Sequence, residues 1–356
     1  MSQNVVVGLG NAGFNNVEAC ITRGIDNTLF FAVDSQTSHV NMNTISKMTY
    51  IPIIADDKSG SGRNRERGKA LYQYHESNGV FNEMYDACKN AKTPVIVISS
   101  AAGGTGSGSI VPFCKAMIER DIQVIPIIIC PNDADPMAYQ MNTEDLMLEL
   151  EEAGITTYSI FKNMRNDAEY TQVNNDVVDQ IEIIFGKKYK KTSLDSIDDS
   201  DLDVVLSTPG RFMTISAKAS DIPTLKKELA RKLMTGFQPA FTTEEAEKCT
   251  FVTAFSLESQ FANQDFKETF EEISSRIVNV YDEYRNIVCT DAPESIATVI
   301  ITGLPSPAVK TTNTDYMEAN TIGHGLKRNS RPSFIQKRKA STTSSSDDGV
   351  NKFKWK

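Results

Sequence analysis

A glycine-rich segment in the first third of the chain limits its possible folds more than any other feature. The segment is Ala102-Gly103-Gly104-Thr105-Gly106-Ser107-Gly108, and it joins a buried-strand pattern, Val95–Ser99, to a helical pattern. Four glycines with interleaved hydroxyls expose a run of backbone N–H donors, which suits anion binding at the start of a helix. The segment therefore predicts a phosphate-binding loop after a parallel strand. A flexible turn without a ligand is the alternative.

A second glycine loop, Gly8–Gly13, lies between the first predicted strand and the first predicted helix. Asp34 ends the next strand, about where dinucleotide-binding folds hold a ribose. Alone, this loop is typical of an NAD-dependent oxidoreductase, or of a tight turn with no ligand. A dehydrogenase needs only one pyrophosphate loop, however, so two such loops favour a mononucleotide with a long phosphate chain. The chain has no G-x-x-x-x-G-K-[ST] segment, which disfavours a P-loop NTPase.

Strand-like and helix-like stretches alternate from the start of the chain to about residue 165, including one helical stretch predicted over Arg65–Lys89. This alternation predicts an α/β fold with a doubly wound parallel sheet. A central helix and a second, smaller αβ domain follow. We assign residues 1–170 to a nucleotide-binding domain, 171–192 to the central helix, 193–309 to an acidic loop with the second domain, and 310–356 to a disordered basic tail.

Cysteine and histidine chemistry has little support in the sequence. The six cysteines occur singly, without a C-x-x-C pair, which favours reduced thiols in a cytoplasmic protein. The three histidines lack the spacing of metal ligands. The chain opens directly into a strand-like run with no basic and apolar leader, and its apolar runs are too short to span a bilayer. We therefore expect a cytoplasmic protein.

The segment Ala102–Gly108 resembles the signature of the tubulin/FtsZ family, G-G-G-T-G-[ST]-G, with Ala102 in place of the first glycine. The resemblance continues in register along most of the body. Gly8–Asn15 looks like the first nucleotide loop of the family, although Phe14 replaces a small residue. Gly60–Gly68 looks like the loop that senses the γ-phosphate, and its three arginines exceed the usual pattern. The resemblance implies a GTPase that binds GTP or GDP, with Mg²⁺ held through phosphates and water rather than by protein ligands.

The resemblance also implies which residues contact GTP. Asp135 lies where the family contacts the sugar, with a poor match, and Asp34 is included for its position at the end of the second predicted strand. Asn163, Asn175 and Asp176 match the positions that read guanine, where an amide or carboxylate pairs with the base edge. The phosphate-binding positions are Gly10, Asn11, Ala12, Gly13, Asn15, Gly62, Arg63, Asn64, Gly103, Gly104, Thr105, Gly106, Ser107 and Gly108.

The acidic segment Ile197–Leu202 resembles the catalytic loop of the family, with Asp198 and Asp201 as its catalytic carboxylates. In the family this loop reaches the nucleotide of the next subunit, so that self-assembly activates hydrolysis. Carboxylates can orient the attacking water and accept its proton. A solvated acidic turn is the alternative. A nucleotide loop on one face and a catalytic loop on another define a head-to-tail contact, which repeats into a filament.

Three details resemble the TubZ branch, the tubulin-like proteins that segregate or position plasmid and phage DNA. They are the turn Ser207–Gly210, the segment Thr302–Pro307 and the basic tail. Residues 327–356 carry a net charge of +7, while the rest of the chain carries −16. The tail therefore suits an acidic partner, either DNA or a DNA-binding adaptor. An FtsZ-like division polymer and, from another class, an NAD-dependent oxidoreductase remain as alternatives, together with a scaffold that has lost its activity.

Overall fold

The computed structural model describes residues 2–36, 42–54, 60–92, 94–163, 167–185, 196–237, 251–260 and 280–304. The predicted basic tail, 310–356, lies outside the described residues. Within the described part of the chain, no helix is long and apolar enough to cross a membrane.

Six parallel strands form the larger sheet, in the order β3-β2-β1-β4-β5-β6. Their central members are nearly continuous runs of Val and Ile, as expected for strands buried on both faces. This arrangement confirms the predicted α/β fold. The strands are β1 (Asn4–Leu9), β2 (Thr28–Asp34), β3 (Thr49–Pro52), β4 (Val95–Ser100), β5 (Val124–Cys130) and β6 (Ser159–Lys162).

Helices cover both faces of this sheet, and each face has its own hydrophobic core. One core contains α3 (Arg65–Ser77), α4 (Asn82–Lys89), α5 (Thr105–Ile118) and α6 (Met137–Glu152). The other contains α1 (Gly10–Arg23), α7 (Asp167–Ile184) and α8 (Asp199–Ser207), and a short helix, α2 (Met42–Ile45), lies between β2 and β3.

The smaller sheet is mixed, with the order β7-β10-β8-β9. Strand β10 (Ser295–Leu304) runs antiparallel to both β7 (Arg211–Ala219) and β8 (Phe251–Ser259), while β9 (Val280–Cys289) runs parallel to β8. Leu225 and Leu229 of α9 (Ile222–Phe237) belong to the apolar core of this sheet. Side chains of α7, α8 and the smaller sheet share one core with the larger sheet, so α7 lies between the two sheets.

Two predicted boundaries are wrong. The stretch Arg65–Lys89 forms two helices instead of the one predicted, because the helix ends at Ser77 and Gly79 then adopts φ +74°. Its two halves fold back so that Tyr72 stacks on Phe81, with ring centroids 4.5 Å apart. The segment predicted as an acidic loop becomes helical at Asp199, because Leu202 and Leu206 at helical spacing enter the core.

Candidate nucleotide site

A cavity of about 600 Å³ lies at the carboxyl edge of the larger sheet. Residues that follow β1, β2, β4, β5 and β6 line it, as expected for ligand sites in open parallel sheets. Twelve of the residues predicted to bind nucleotide line this cavity: Gly10, Asn11, Ala12, Asp34, Gly62, Arg63, Gly103, Gly104, Thr105, Gly106, Asp135 and Asn163.

Three loops meet around the cavity through backbone contacts that exclude side chains. A Cβ atom at Gly106 would lie 2.3 Å from the carbonyl oxygen of Leu9, and one at Gly104 would lie 2.7 Å from the backbone nitrogen of Asn64. A Cβ atom at Gly10, which has φ +72°, would lie 2.8 Å from the nitrogen of Gly106. Glycine at these positions therefore lets the first loop, the loop before α3 and the loop before α5 enclose one cavity.

Hydrogen bonds connect three hydroxyl groups at the cavity wall, one each from the end of β2, the loop before α3 and the start of α5. Thr105 Oγ1 lies 2.5 Å from Ser35 Oγ, at the end of β2, and donates to Ser61 Oγ at 3.0 Å. All three residues are buried and line the cavity. Because hydroxyls donate and accept hydrogen bonds, this chain of groups can bind phosphate oxygens while it holds the loops together.

Asn142, on α6, fastens two of the loops from outside. Its amide nitrogen donates to the carbonyl oxygens of Ala102 at 2.9 Å, Arg63 at 3.1 Å and Gly103 at 3.3 Å. These bonds turn the carbonyl groups of Ala102 and Gly103 toward α6. In a planar peptide unit the next N–H group points the opposite way, so the N–H groups of Gly103 and Gly104 are aimed away from α6.

Charge is distributed unevenly in the cavity wall. Arg63 is the one cationic side chain among the described residues that line it, and Asp34 and Asp135 are acidic. The guanidinium of Arg63 lies over the ring of Tyr139, with 4.9 Å between the carbon of the guanidinium and the ring centroid. Asp135 is held in place, because its carboxylate accepts a 2.7 Å hydrogen bond from the backbone nitrogen of Asn132.

A partly buried ion-pair cluster supports the loops on the side away from the cavity. Glu149, on α6, pairs with both Arg65 and Lys69 of α3, and Arg65 Nε donates to Ser107 Oγ at 2.9 Å. Burial alone would raise the pKa of Glu149, but the charges and hydrogen bonds of Arg65 and Lys69 outweigh it and lower the pKa below its usual value. The cluster ties α3, α5 and α6 together behind the cavity.

Comparison of the sequence with known proteins finds similarity to FtsZ proteins. No protein-family model matches the chain. The cell division protein FtsZ of Haloferax mediterranei is 23% identical over 325 residues, which cover 85% of this chain and 81% of that protein. FtsZ 1 of Halobacterium salinarum is 28% identical over 144 residues, or 39% of this chain and 34% of that protein.

Solved structures of TubZ, FtsZ and CetZ superpose on most of the chain. TubZ of Bacillus thuringiensis serovar israelensis, as a GTPγS-form protofilament, gives a TM-score of 0.67 at 18% identity, covering 89% of this chain and 91% of its own. The chain has the tubulin/FtsZ fold. An FtsZ dimer of M. jannaschii gives 0.64 at 16% identity, covering 85% and 88%, and CetZ2 of Haloferax volcanii gives 0.64 at 14%, covering 89% and 97%. The three structures match the chain to a similar extent, so the likeness shows the fold and does not separate FtsZ, TubZ and CetZ.

Five of the predicted phosphate-binding residues do not line the cavity, and four of these five have structural contacts instead. Asn15 is exposed on α1, and Asn64 caps α3 by accepting a 3.0 Å bond from the Arg67 nitrogen. Gly13 packs against the backbone of Gly8 and Ile98, Ser107 binds Arg65, and Gly108 packs against the backbone of α3.

The two predicted base-reading residues of α7 also lie outside the cavity wall. The amide oxygen of Asn175 accepts a 3.3 Å bond from Arg23, whose guanidinium also pairs with Asp179 at 2.9 Å. Asp176 accepts a 2.8 Å bond from Gln172, and burial raises its pKa. Tyr170 is the residue of α7 that reaches the cavity among those described, so the helix presents a different face from the one predicted.

Asp198 and Asp201, the predicted catalytic pair, lie at the start of α8 and do not line the cavity. Asp198 Oδ1 accepts hydrogen bonds from the backbone nitrogens of Ser200 at 2.8 Å and Asp201 at 3.0 Å. Asp201 Oδ2 accepts a 3.1 Å bond from the backbone nitrogen of Asp198. The two carboxylates therefore form a reciprocal capping box at the surface of the molecule.

Several residues that line the cavity belong to none of the sequence motifs that predict a nucleotide site. Ser35 and Gln36 directly follow Asp34 at the end of β2, where any polar residue would face the same edge. Tyr139 and Tyr170 are aromatic residues on helices, and such residues usually belong to a core. Only the packing of α6 and α7 against the sheet brings these rings to the cavity.

Proposed function

We propose that the chain binds and hydrolyses GTP and assembles head to tail into filaments, with hydrolysis at the contact between subunits. One observation carries this proposal: two glycine loops and Asn163 enclose a single cavity, whereas Asp198 and Asp201 lie elsewhere on the surface. The nucleotide site and the acidic pair are therefore separate halves, which a second subunit can bring together.

The cavity favours a nucleoside triphosphate over a dinucleotide. Both glycine loops face the same space, in contact at Gly10 and Gly106, so a phosphate chain between them meets backbone N–H groups from two sides. A dinucleotide needs one such loop and a second nucleoside pocket. A volume of about 600 Å³ suits one ligand of ordinary cofactor size.

The guanine base would lie at the end of the cavity formed by Asn163 and Tyr170. The backbone of Asn163 is fixed by a 2.8 Å bond from its nitrogen to the Cys130 carbonyl oxygen. Its side chain can then present an amide to the base edge, and Tyr170 offers a ring for stacking. A site that hydrogen-bonds a base edge rejects the wrong base because buried groups remain unpaired.

Hydrolysis would use Asp198 and Asp201 of the next subunit. The capping box uses one oxygen of each carboxylate, and each carboxylate has a second oxygen that can orient water or accept its proton. Mg²⁺ would arrive with the phosphates, as it usually does at nucleotide sites. Among the described residues no group of three or more His, Cys, Asp or Glu side chains could hold a metal ion, while Ser35, Thr105 and Asp34 supply the oxygen atoms that Mg²⁺ or its waters prefer.

The solved relatives support assembly. The TubZ structure is a GTPγS-form protofilament, the CetZ2 structure is a GTPγS-bound protofilament, and TubZ also forms a two-stranded filament. For the cellular role we propose segregation or positioning of plasmid or phage DNA, with the basic tail 327–356 binding DNA or an adaptor. The similarity to FtsZ supports a division polymer as the second candidate.

Nucleotide binding and turnover test the proposal together. Thermal shift with GTP, ATP and NAD, each with Mg²⁺, should show stabilisation by GTP above the other two. GTPase activity per molecule should rise with protein concentration, because an isolated subunit lacks the acidic pair at its nucleotide. Stabilisation by NAD alone would support the oxidoreductase and exclude the GTPase.

A further inference from the structure

Strand β9 forms one edge of the smaller sheet, far along the chain from the glycine loops. Among the described residues it pairs with β8 alone, over its ten residues, Val280–Cys289. It contributes no residue to the described wall of the nucleotide cavity. An edge strand presents backbone N–H and C=O groups that can pair with a strand of another molecule. The edge of β9 is therefore a candidate contact surface.

Two backbone contacts show which residues of β9 direct their backbone groups outward. The nitrogen of Thr290, directly after the strand, donates to the carbonyl oxygen of Ser259 in β8 at 3.2 Å. The nitrogen of Glu283 instead donates to the carboxylate of Asp282, at 2.9 Å, within β9 itself. Backbone groups alternate in direction along a strand. The even-numbered residues of β9 therefore face β8, and the odd-numbered residues face the open edge.

Side chains at this edge are also exposed. Tyr281 is 80% exposed, more than any other exposed large hydrophobic residue in the described part of the chain. The side chain of Arg285 is 42% exposed, and its Nε donates to Glu283 of the same strand at 2.8 Å. Because an exposed ion pair stabilises a protein only slightly, these two side chains can change partners at small cost.

The sequence of β9 is complementary to itself when two copies run antiparallel. With Tyr284 of each copy at the centre, Glu283 of one copy faces Arg285 of the other, and Tyr281 faces Ile287. Opposite charges and aromatic–aliphatic pairs stabilise cross-strand contacts. Both pairs join odd-numbered residues, so their backbone groups can also exchange hydrogen bonds. The remaining pairs are Val280 with Val288 and Asp282 with Asn286.

Other registers of the same pairing are less favourable. A centre at Glu283 places two glutamates opposite each other, and a centre at Arg285 does the same with two arginines. Like charges directly opposite each other destabilise a pair of strands. The charges of β9 therefore select the register centred on Tyr284.

We propose that the edge of β9 binds a second copy of this chain, with two β9 strands antiparallel around Tyr284 and the smaller sheet continuous across both molecules. The contact uses the same surface on each molecule, unlike a head-to-tail contact. It needs no nucleotide and does not depend on the proposed function. Within an assembly it would join a subunit of one filament to a subunit of another.

Sedimentation of the full chain without nucleotide, over a series of protein concentrations, measures the contact. The wild type should pass from monomer to dimer as the concentration rises. Arg285→Glu and Glu283→Arg each place like charges opposite each other and should raise the dissociation constant by about 10-fold or more. The matched control is Arg231→Glu on α9, because Arg231 is also exposed and paired with a glutamate of its own chain. It should change the constant by less than about twofold.

Mixing Glu283→Arg with Arg285→Glu tests the pairing itself. In a mixed dimer each altered side chain meets an opposite charge, so the mixture should dimerise within about threefold of the wild-type dissociation constant. Mixing cannot repair a folding defect, so recovery reports the contact between molecules. Tyr281→Thr, which changes no charge, should weaken the wild-type dimer by about 2- to 5-fold.

Each result decides for or against the contact. A wild-type chain that stays monomeric at every concentration would overturn the inference, and so would a wild-type dimer that Arg285→Glu leaves unchanged. A mixture that remains as monomeric as its components would overturn it too. None of these results bears on GTP binding, which is measured separately. Dimerisation that is lost in both single variants and recovered in their mixture would establish the contact.

Discussion

Asp198 and Asp201 cap the same helix reciprocally: each carboxylate accepts a hydrogen bond from the backbone nitrogen of the other residue. The capping box sets the start of α8, whose Leu202 and Leu206 enter the core shared by the two sheets. The pair thus has a structural role within the subunit as well as the catalytic role proposed for it across a contact. Substitutions must separate these roles.

Asp198→Asn separates them, because asparagine caps a helix about as well as aspartate but cannot accept a proton. We expect Asp198→Asn to have the wild-type free energy of unfolding and a rate of GTP turnover that is lower by roughly 10²–10⁴-fold. Asp198→Ala should lose turnover and also about 0.5–2 kcal/mol of stability. Urea unfolding and phosphate release measure the two effects, and full activity in Asp198→Asn would remove the residue from the catalytic mechanism.

Base recognition should depend on Asn163 and not on Asn175. Asn163 lines the cavity, whereas Asn175 lies against Arg23 outside it. Asn163→Ala should lower the preference for GTP over ATP, since the base edge loses its partner. Asn175→Ala serves as the matched control and should retain the preference. Competition binding with ATP checks both, and the opposite result would return the base-reading role to Asn175.

Glu149 should contribute pH-dependent stability. Its pKa in the folded state is lowered from 4.5, so its stabilisation is complete above that value and is lost as the pH falls through the lower folded-state pKa. Glu149→Gln leaves Arg65 buried without its charge partner and should cost about 3 kcal/mol near neutral pH. The difference from wild type should shrink below about pH 4.

The control for this pair is Glu152→Gln, an exposed position on the same helix. It should change the free energy of unfolding by less than about 0.5 kcal/mol at any pH. Unfolding in urea across pH 3–8 gives both profiles. A cost at Glu149 that does not vary with pH would show that packing, rather than charge, supports the loops.

Two glycines of the segment Ala102–Gly108 differ in whether they tolerate a side chain. A Cβ atom at Gly103 meets nothing within 4 Å, whereas one at Gly106 would lie 2.3 Å from the Leu9 carbonyl oxygen. Gly103→Ala should therefore fold with nearly wild-type stability. Gly106→Ala must push the two loops apart, and we expect a loss of about 1–3 kcal/mol together with nucleotide binding. Equal melting temperatures for the two variants would contradict the contact between the loops.

The order of strands and the position of the glycine loops follow from local patterns. Runs such as Val95–Ser100 predict buried parallel strands, and parallel strands place the loops after them at one edge. The Asn-Gly pair that ends at Gly79 is a turn signal within a helical pattern. The apolar periodicity continues on both sides of the pair, however, and therefore predicts a single helix.

The details of the site depended on contacts distant in sequence. Asn142 reaches Arg63 across 79 positions, and Arg65 reaches Glu149 across 84. No periodicity encodes such pairs. The rotation of α7 likewise depends on apolar packing between the two sheets, which brings Tyr170 rather than Asn175 to the cavity.

The central claim, that one subunit supplies nucleotide and the next supplies carboxylates, is tested most directly by mixing two inactive variants. Asp198→Asn retains the cavity, and Gly103→Asp retains the acidic pair but places a negative charge, in open space, where phosphates would bind. Each variant alone should hydrolyse GTP at no more than about a hundredth of the wild-type rate. Their mixture should recover turnover, because a Gly103→Asp subunit can present its carboxylates to GTP bound by Asp198→Asn. A mixture as inactive as its components, beside wild-type turnover per molecule that does not vary with concentration, would contradict the account.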